Sequence, residues 1–299
     1  MRIRINPIVK KDLQVSVRSM RISWGLFAYE AALTVAFLLA LLIIQVESSY
    51  TYSGNIYSSL VYLFPVVAVA QVCIVALYIP IITASSISGE KERQTFDIMM
   101  TTSMSPFSIV FGKVTSAVLR ILFYVAASTP IMALSFVVGG LKWSNLFFYL
   151  LALILFSMLS GSIGILASSF CRKSVAAVLL SFVMYFLLYF TTFLPLIYRS
   201  LFGRGKYGES MLLLLWNPIV FFEEFFMQIM SGESIFGSGM FSKNEVGFMT
   251  YALADGKVWM FVSAGCILTL SFLVMALAAW KINPMHSGSG GKKPKKKVA

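Results

Sequence analysis

Few residues of this 299-residue chain could do covalent chemistry. Its single histidine, His286, stands near the carboxy terminus, so histidine-based acid–base catalysis and histidine metal sites have no basis. No phosphate-cradling loop is present, because Gly112-Lys113 and Gly291-Lys292 lack both the following hydroxyl residue and the upstream glycine. Catalytic, cofactor-binding and metal sites are therefore all expected to be absent. The residues whose types and spacing suggest work are Gly89-Glu90-Lys91-Glu92-Arg93, followed by Gln94-Thr95-Phe96-Asp97-Ile98-Met99-Met100. Phe96, Met99 and Met100 fall to one side of a helical wheel, with Glu92, Arg93 and Asp97 towards another, which predicts a short amphipathic helix. Its chemistry would be noncovalent: a charged element with an apolar stripe is shaped to dock on something. The alternative is an ordinary solvated loop.

The surroundings of that stretch decide where it can sit. The chain is 59% hydrophobic and 12% charged, with 26 Phe and 16 Met, and its mean hydropathy is +0.85. Such a composition does not describe a soluble globular domain. Six apolar runs of about 20 residues or more fall near 24–46, 61–87, 114–138, 145–169, 175–197 and 258–280. The expected fold is an all-α polytopic membrane protein with six transmembrane helices; the alternating ten-residue strands of a barrel are missing. Residues 88–113 then form a loop between spans two and three. Charge left in hydrocarbon is costly, so this loop must lie in water.

Lys and Arg set the orientation. Of the 24, 18 fall in the amino-terminal segment, in the 88–113 loop and its flank, at Arg172-Lys173, or in the tail from Lys281. That side is predicted to be cytoplasmic, both termini included, in the cell membrane. The net charge of +12 thus reads as a topology signal with attraction to anionic lipid, not as a nucleic-acid footprint. Residues 1–23 mix cations with aliphatics and are expected to form an amphipathic interfacial helix. The tail, 282–299, reads as a disordered Gly/Ser linker with a lysine cluster. Cys73, Cys171 and Cys266 make no disulfide framework.

Inside the spans, Glu30 and Arg120 each lie about six residues from a cytoplasmic start, at a shared depth of roughly 9 Å. They either pair with each other or snorkel separately to the inner surface. Pro65, Pro80 and Pro130 should bend their helices. Ser157, Gly161 and Gly164 give the fourth span a small-residue face for close helix packing. In the outer segment 198–257, Asn217 suits a helix cap and Pro218 the first helical position. A helix of about 13 residues is predicted from Pro218 to Met230, stopping at Ser231-Gly232. Too short to cross and too apolar to float, it should be interfacial or re-entrant.

Glu223-Glu224 has part of the Glu-Glu-x-x-x-Arg pattern of CAAX-processing intramembrane proteases, but position 228 is Gln228 and supporting histidines are missing. The closer likeness is different. The basic amino terminus, first hairpin, charged loop, four further spans and long outer segment resemble a type-2 ABC-transporter permease over nearly the whole chain except the tail. The likeness is carried most specifically by Gly89, Glu90, Lys91, Glu92, Arg93, Thr95, Asp97, Ser105 and Pro106. Family members often have Gly before that Thr and Pro two residues before that Ser; Gln94 and Ser103 stand there here. The resemblance implies that 89–106 holds a coupling helix seated in a cleft of a separate ATP-binding cassette subunit, with Glu90, Glu92, Arg93, Phe96, Asp97 and Met99 docking. It also implies a second permease subunit, a homo- or heterodimer, and ATP and Mg bound on the partner. The substrate would be hydrophobic or amphipathic. Two other functions compatible with the residues are an ABC-associated subunit in envelope assembly or bacteriocin immunity, and a stand-alone carrier or channel.

Overall fold

The computed structural model describes residues 9, 10, 12, 14, 20–50, 60–96, 105–202, 212–232, 234, 235 and 255–283. These are mainly helical, with no strand among them, and six of their helices are long and apolar enough to cross a membrane. In chain order, α1 is Met20–Tyr50, α2 Leu63–Glu92, α3 Pro106–Ala127 and α4 Thr129–Val138. They are followed by α5 Trp143–Phe170, α6 Ser174–Phe202, α7 Pro218–Met230 and α8 Gly256–Ile282. Of residues 1–23 only Val9, Lys10, Asp12, Gln14 and 20–23 are described. All are helical, and Ser116 Oγ on α3 donates to Asp12 Oδ2 at 3.3 Å. The 282–299 tail lies outside the described residues beyond Asn283.

Three boundaries differ from the sequence expectation. Residues 88–92 are not loop but the last turn of α2, and α3 begins at Pro106 instead of 114. Lys113 had marked water in the hydropathy pattern; its side chain is in fact only 5% exposed and is neutralised by Glu90. The start of α3 is set locally: Ser105 is extended, its Oγ accepts the Ser108 amide at 3.3 Å, and Pro106 occupies the first turn. The third span is also not one helix. It divides at Ser128 beside Pro130, whose ring nitrogen has no proton to continue the ladder.

At the centre stands α5, the most deeply buried of the six long helices, packed on α2, α3, α6 and α8. Its crossing with α2 is close because Gly164 has no side chain. A Cβ there would run into Thr83 and stand 3.2 Å from the Ala84 amide nitrogen. Gly161 lies beside Val114, Thr83 and Ile79, while Ser157 is buried with its hydroxyl on the Ile154 carbonyl at 2.8 Å.

A neutral polar knot ties three helices and the α3–α4 junction in the core. Gln71 Nε2 donates to Tyr29 Oη at 2.7 Å and Ser128 Oγ at 3.2 Å. Tyr149 Oη donates to Gln71 Oε1 at 2.9 Å. Every polar atom of Gln71's amide oxygen and nitrogen thus has a partner, as an uncharged group buried in an apolar interior requires.

At one end of the bundle α7 packs its phenylalanines on α5. Phe222 meets Phe156 edge-on at 5.6 Å, and Phe225 lies 6.3 Å from Tyr149. Asn217 caps α7, accepting the Ile219 amide at 2.8 Å and donating to Thr192 Oγ1 at 2.8 Å. Of the two glutamates, Glu223 is exposed and Glu224 fully buried. Glu224 Oε2 accepts the Ile235 amide at 2.9 Å, and its Oε1 accepts from Gln228 Nε2 at 3.3 Å. The first residue of α8, Gly256, leaves room for this pair, since a Cβ there would meet both side chains.

Candidate functional site: the basic end of the bundle

The opposite end gathers the last turn of α2, the start of α3, the α5–α6 turn and the end of α8. Its construction begins with how α2 stops. The Arg93 amide donates to Gly89 O at 3.1 Å, the Gln94 amide to Lys91 O at 3.2 Å and the Thr95 amide to Glu90 O at 3.0 Å. Gln94 has φ 59°, so this is a Schellman ending with Gln94 at the left-handed position. The position is the one where family members often carry Gly, and glycine is the residue that adopts this conformation without steric cost. Helix resumes at Phe96.

Two consecutive residues of that last turn grip the α5–α6 turn. The Lys91 ammonium donates to the carbonyl of Ser169 at 2.6 Å, with those of Ser168 and Cys171 at 3.4 and 3.5 Å. A cation thus closes the carbonyl end of α5, where the helix dipole is negative. Glu92 Oε2 accepts from Ser174 Oγ at 2.8 Å and from the Ser174 amide at 3.3 Å, placing an anion on the amide end of α6. Ser168 completes the tie: its Oγ accepts the Ile87 and Ser88 amides at 3.0 and 2.8 Å.

Lys91 and Glu92 lie beyond the apolar run that ends at Ile87, and their surroundings lower both pKa values, working against the charge on Lys91 and for the charge on Glu92. Burial pushes the Lys91 ammonium pKa below its ordinary value. The Ser174 hydrogen bonds hold the Glu92 carboxyl below the usual range, with a smaller contribution from Lys173 and Arg93.

A third tie joins α2 to α3. Lys113 Nζ bonds Glu90 Oε1 at 2.8 Å and the Ser86 carbonyl at 3.3 Å. Phe96 packs against the cluster of Ile87, Val110, Val114, Ile165 and Met275, with the Lys91 ammonium 5.6 Å from its ring centroid.

The expected docking set therefore divides. Glu90 and Glu92 are engaged within the chain and belong to α2, not to a separate amphipathic helix; the left-handed Gln94 parts them from Phe96. Arg93 is exposed, as are Gln94 and Thr95, and Phe96 is half-buried. Asp97 and Met99 lie outside the described residues. Glu30 and Arg120 each follow or precede a residue, Tyr29 or Ile121, that lines one groove between α1, α2 and α3. Glu30 Oε1 is buried without a hydrogen-bond partner, so that atom makes no bond to Arg120.

Sequence reasoning read Lys91 only as part of the charged run and missed Lys113, Ser168 and Ser174. One signal was available: Lys113 sits at helical spacing from Val110, Val114 and Ala117, all of which are buried. No group of three or more His, Cys, Asp and Glu among the described residues could hold a metal ion, and Cys73, Cys171 and Cys266 are all free thiols.

No curated protein matches the chain in sequence. The family model described as ABC-2 family transporter protein matches residues 39–281, spanning all or part of each of the six long helices. The chain belongs to the ABC-2 transporter family: it is a multi-pass membrane subunit of an ABC transporter, whose family works with an ATP-binding cassette partner.

Proposed function

We propose that the chain is the permease of an ATP-driven exporter, carrying a hydrophobic or amphipathic substrate such as a lipid, peptide or drug-like molecule outward by alternating access. The basic end faces the cytoplasm of a cell whose plasma membrane the protein spans, and both termini lie on that side. Two permease subunits, alike or different, work with two ATP-binding subunits that hold ATP and Mg. The observation that carries this reading is the arrangement around Gln94. Glu90, Lys91 and Glu92 are spent on internal ties, while Arg93, Gln94 and Thr95 are presented outward at the junction of spans two and three. Arg93 meets the ATP-binding subunit, and Phe96, packed against the apolar cluster that includes Ile87 and Val110, carries the contact into the bundle. Closure of the ATP-binding pair then moves the connection and the helices fastened to it.

The apolar character of the substrate is supported by the groove of about 240 Å³ between α1, α2 and α3, walled by Tyr29, Ile74, Tyr78, Ile121 and Tyr124. Such a wall suits a chain or ring system better than a hydrated ion. The test is ATP hydrolysis by the reconstituted complex in vesicles. Stimulation by an apolar substrate, with that substrate accumulating on the far side, is expected. ATP hydrolysis that responds to no candidate substrate would favour a non-transport role, such as envelope assembly or bacteriocin immunity. A permease that captures no ATP-binding subunit would leave a stand-alone carrier.

A further inference from the structure

We propose that Lys91 and Glu92 are positioning residues that carry movement of the α2–α3 connection straight to the α5–α6 turn, so that α6 is driven from α2 and not only through α3. The inference rests on the ATP-driven reading above and adds a route to it. Its basis is the pairing of two neighbouring, oppositely charged side chains with two opposite helix ends. Lys91 holds the carbonyl end of α5 through Ser169 at 2.6 Å, and Glu92 holds the amide end of α6 through Ser174 at 2.8 Å. A side chain that only closed one helix would not need its neighbour to close the next one. Together they make the last turn of α2 and the α5–α6 turn one mechanical unit.

The two helices beyond that turn differ in how they can respond. α5 is the most buried span and is locked on α2 where Gly164 meets Thr83. α6 is among the least buried spans and carries Pro195 near its far end. A push at the turn therefore finds α5 fixed as a fulcrum and α6 able to tilt, with Pro195 supplying compliance. Charge–dipole contacts suit this role, since they keep their strength through small rotations better than interlocked side chains do.

The test uses the full permease with its ATP-binding subunit in lipid nanodiscs, with Cys73, Cys171 and Cys266 replaced by serine. Spin labels are placed at exposed Trp143, at the far end of α5, and at either Phe107 or Leu194, which is exposed on α6. The first pair reports the connection and the second the tilt of α6 against α5. In the otherwise unchanged protein, ATP should shift both distances. In Lys91→Met/Glu92→Gln the shift at Phe107 should persist and the shift at Leu194 should vanish, with the ATP-binding subunit still bound. Lys91→Arg/Glu92→Asp should restore it, which a general loss of folding would not allow. A shift at Leu194 that survives in the Met/Gln variant overturns the inference. So does an unchanged Leu194 distance in the parent complex, or joint loss of both shifts while the partner remains bound. Failure of the parent permease to capture an ATP-binding subunit overturns the functional reading itself, and this route with it.

Discussion

At the basic end, side chains from the last turn of α2 hold two helix termini and one lysine inside a third helix: Lys91 on the end of α5, Glu92 on the start of α6, and Glu90 on Lys113 of α3. At the other end, α7 is held by interlocked rings, Phe222 on Phe156 and Phe225 beside Tyr149, with the buried carboxyl of Glu224 tying α7 to Ile235. Both ends solve the same problem, since helix termini leave polar groups unsatisfied and must find partners. They solve it with different materials. Ion and dipole contacts are few, directional and able to reform after a small displacement. Close-packed aromatic contacts lose their energy when shifted by a fraction of an ångström. On the proposed reading the first end moves and the second stays, with force entering on one face only.

That contrast can be broken by removing one partner at each end. Glu90→Ala strands the Lys113 ammonium, 5% exposed, with only the Ser86 carbonyl; about 3 kcal/mol of stability should be lost. Thermal unfolding in detergent would show it, and a cost as small as that of an exposed pair would mean the tie is decorative. The two close approaches differ in what a methyl group would meet. Gly164→Ala pushes a methyl into Thr83 and towards backbone, which cannot yield, and should cost about 2–3 kcal/mol. Gly256→Ala meets the far ends of Glu224 and Gln228, which can swing aside, and should cost about 1 kcal/mol in lost hydrogen bonding. Equal losses on the same unfolding assay would erase the distinction. Gln94→Gly relieves a left-handed residue at φ 59° and should raise stability by about 0.5–1 kcal/mol. A destabilised glycine variant would argue that the Gln94 side chain holds a contact of its own.

The smallest effect concerns pH. The folded pKa of Glu92 is depressed below its ordinary value of 4.5 by the Ser174 bonds. Its tie to α6 is therefore complete above pH 4.5 and is lost only as pH falls through the lower folded value. Infrared difference spectra against Glu92→Gln should place the carboxylate midpoint below 4.5. A midpoint at or above that value would mean the Ser174 contact is not made.

Much of this architecture was legible because membrane spans and helix caps are local signals. Six apolar runs gave six long helices, since length and hydropathy are written along the chain. α7 begins at Pro218 and ends at Met230 because Asn217 and Pro218 are a start signal and Ser231-Gly232 a stop. The ties at the basic end were not legible for the opposite reason. Glu92 and Ser174 are 82 residues apart, and Lys91 and Ser169 are 78 apart. Nothing local tells a solvated charge from one aimed at a helix end across the bundle. The Gly89–Arg93 run therefore read as a docking face, and the ties that Glu90, Lys91 and Glu92 make within the chain went unforeseen. Gln71 shows a signal that was present but passed over, a lone amide in an apolar span whose burial obliges it to find partners.

The central claim is that Arg93, at the end of α2, meets an ATP-binding subunit. Its most direct measurement is the affinity of that subunit for the full-length permease in nanodiscs, compared between the parent and Arg93→Glu. Charge reversal at this exposed position should weaken binding at least about tenfold, near 1.4 kcal/mol, without lowering the unfolding temperature of the permease alone. Unchanged affinity would contradict the account.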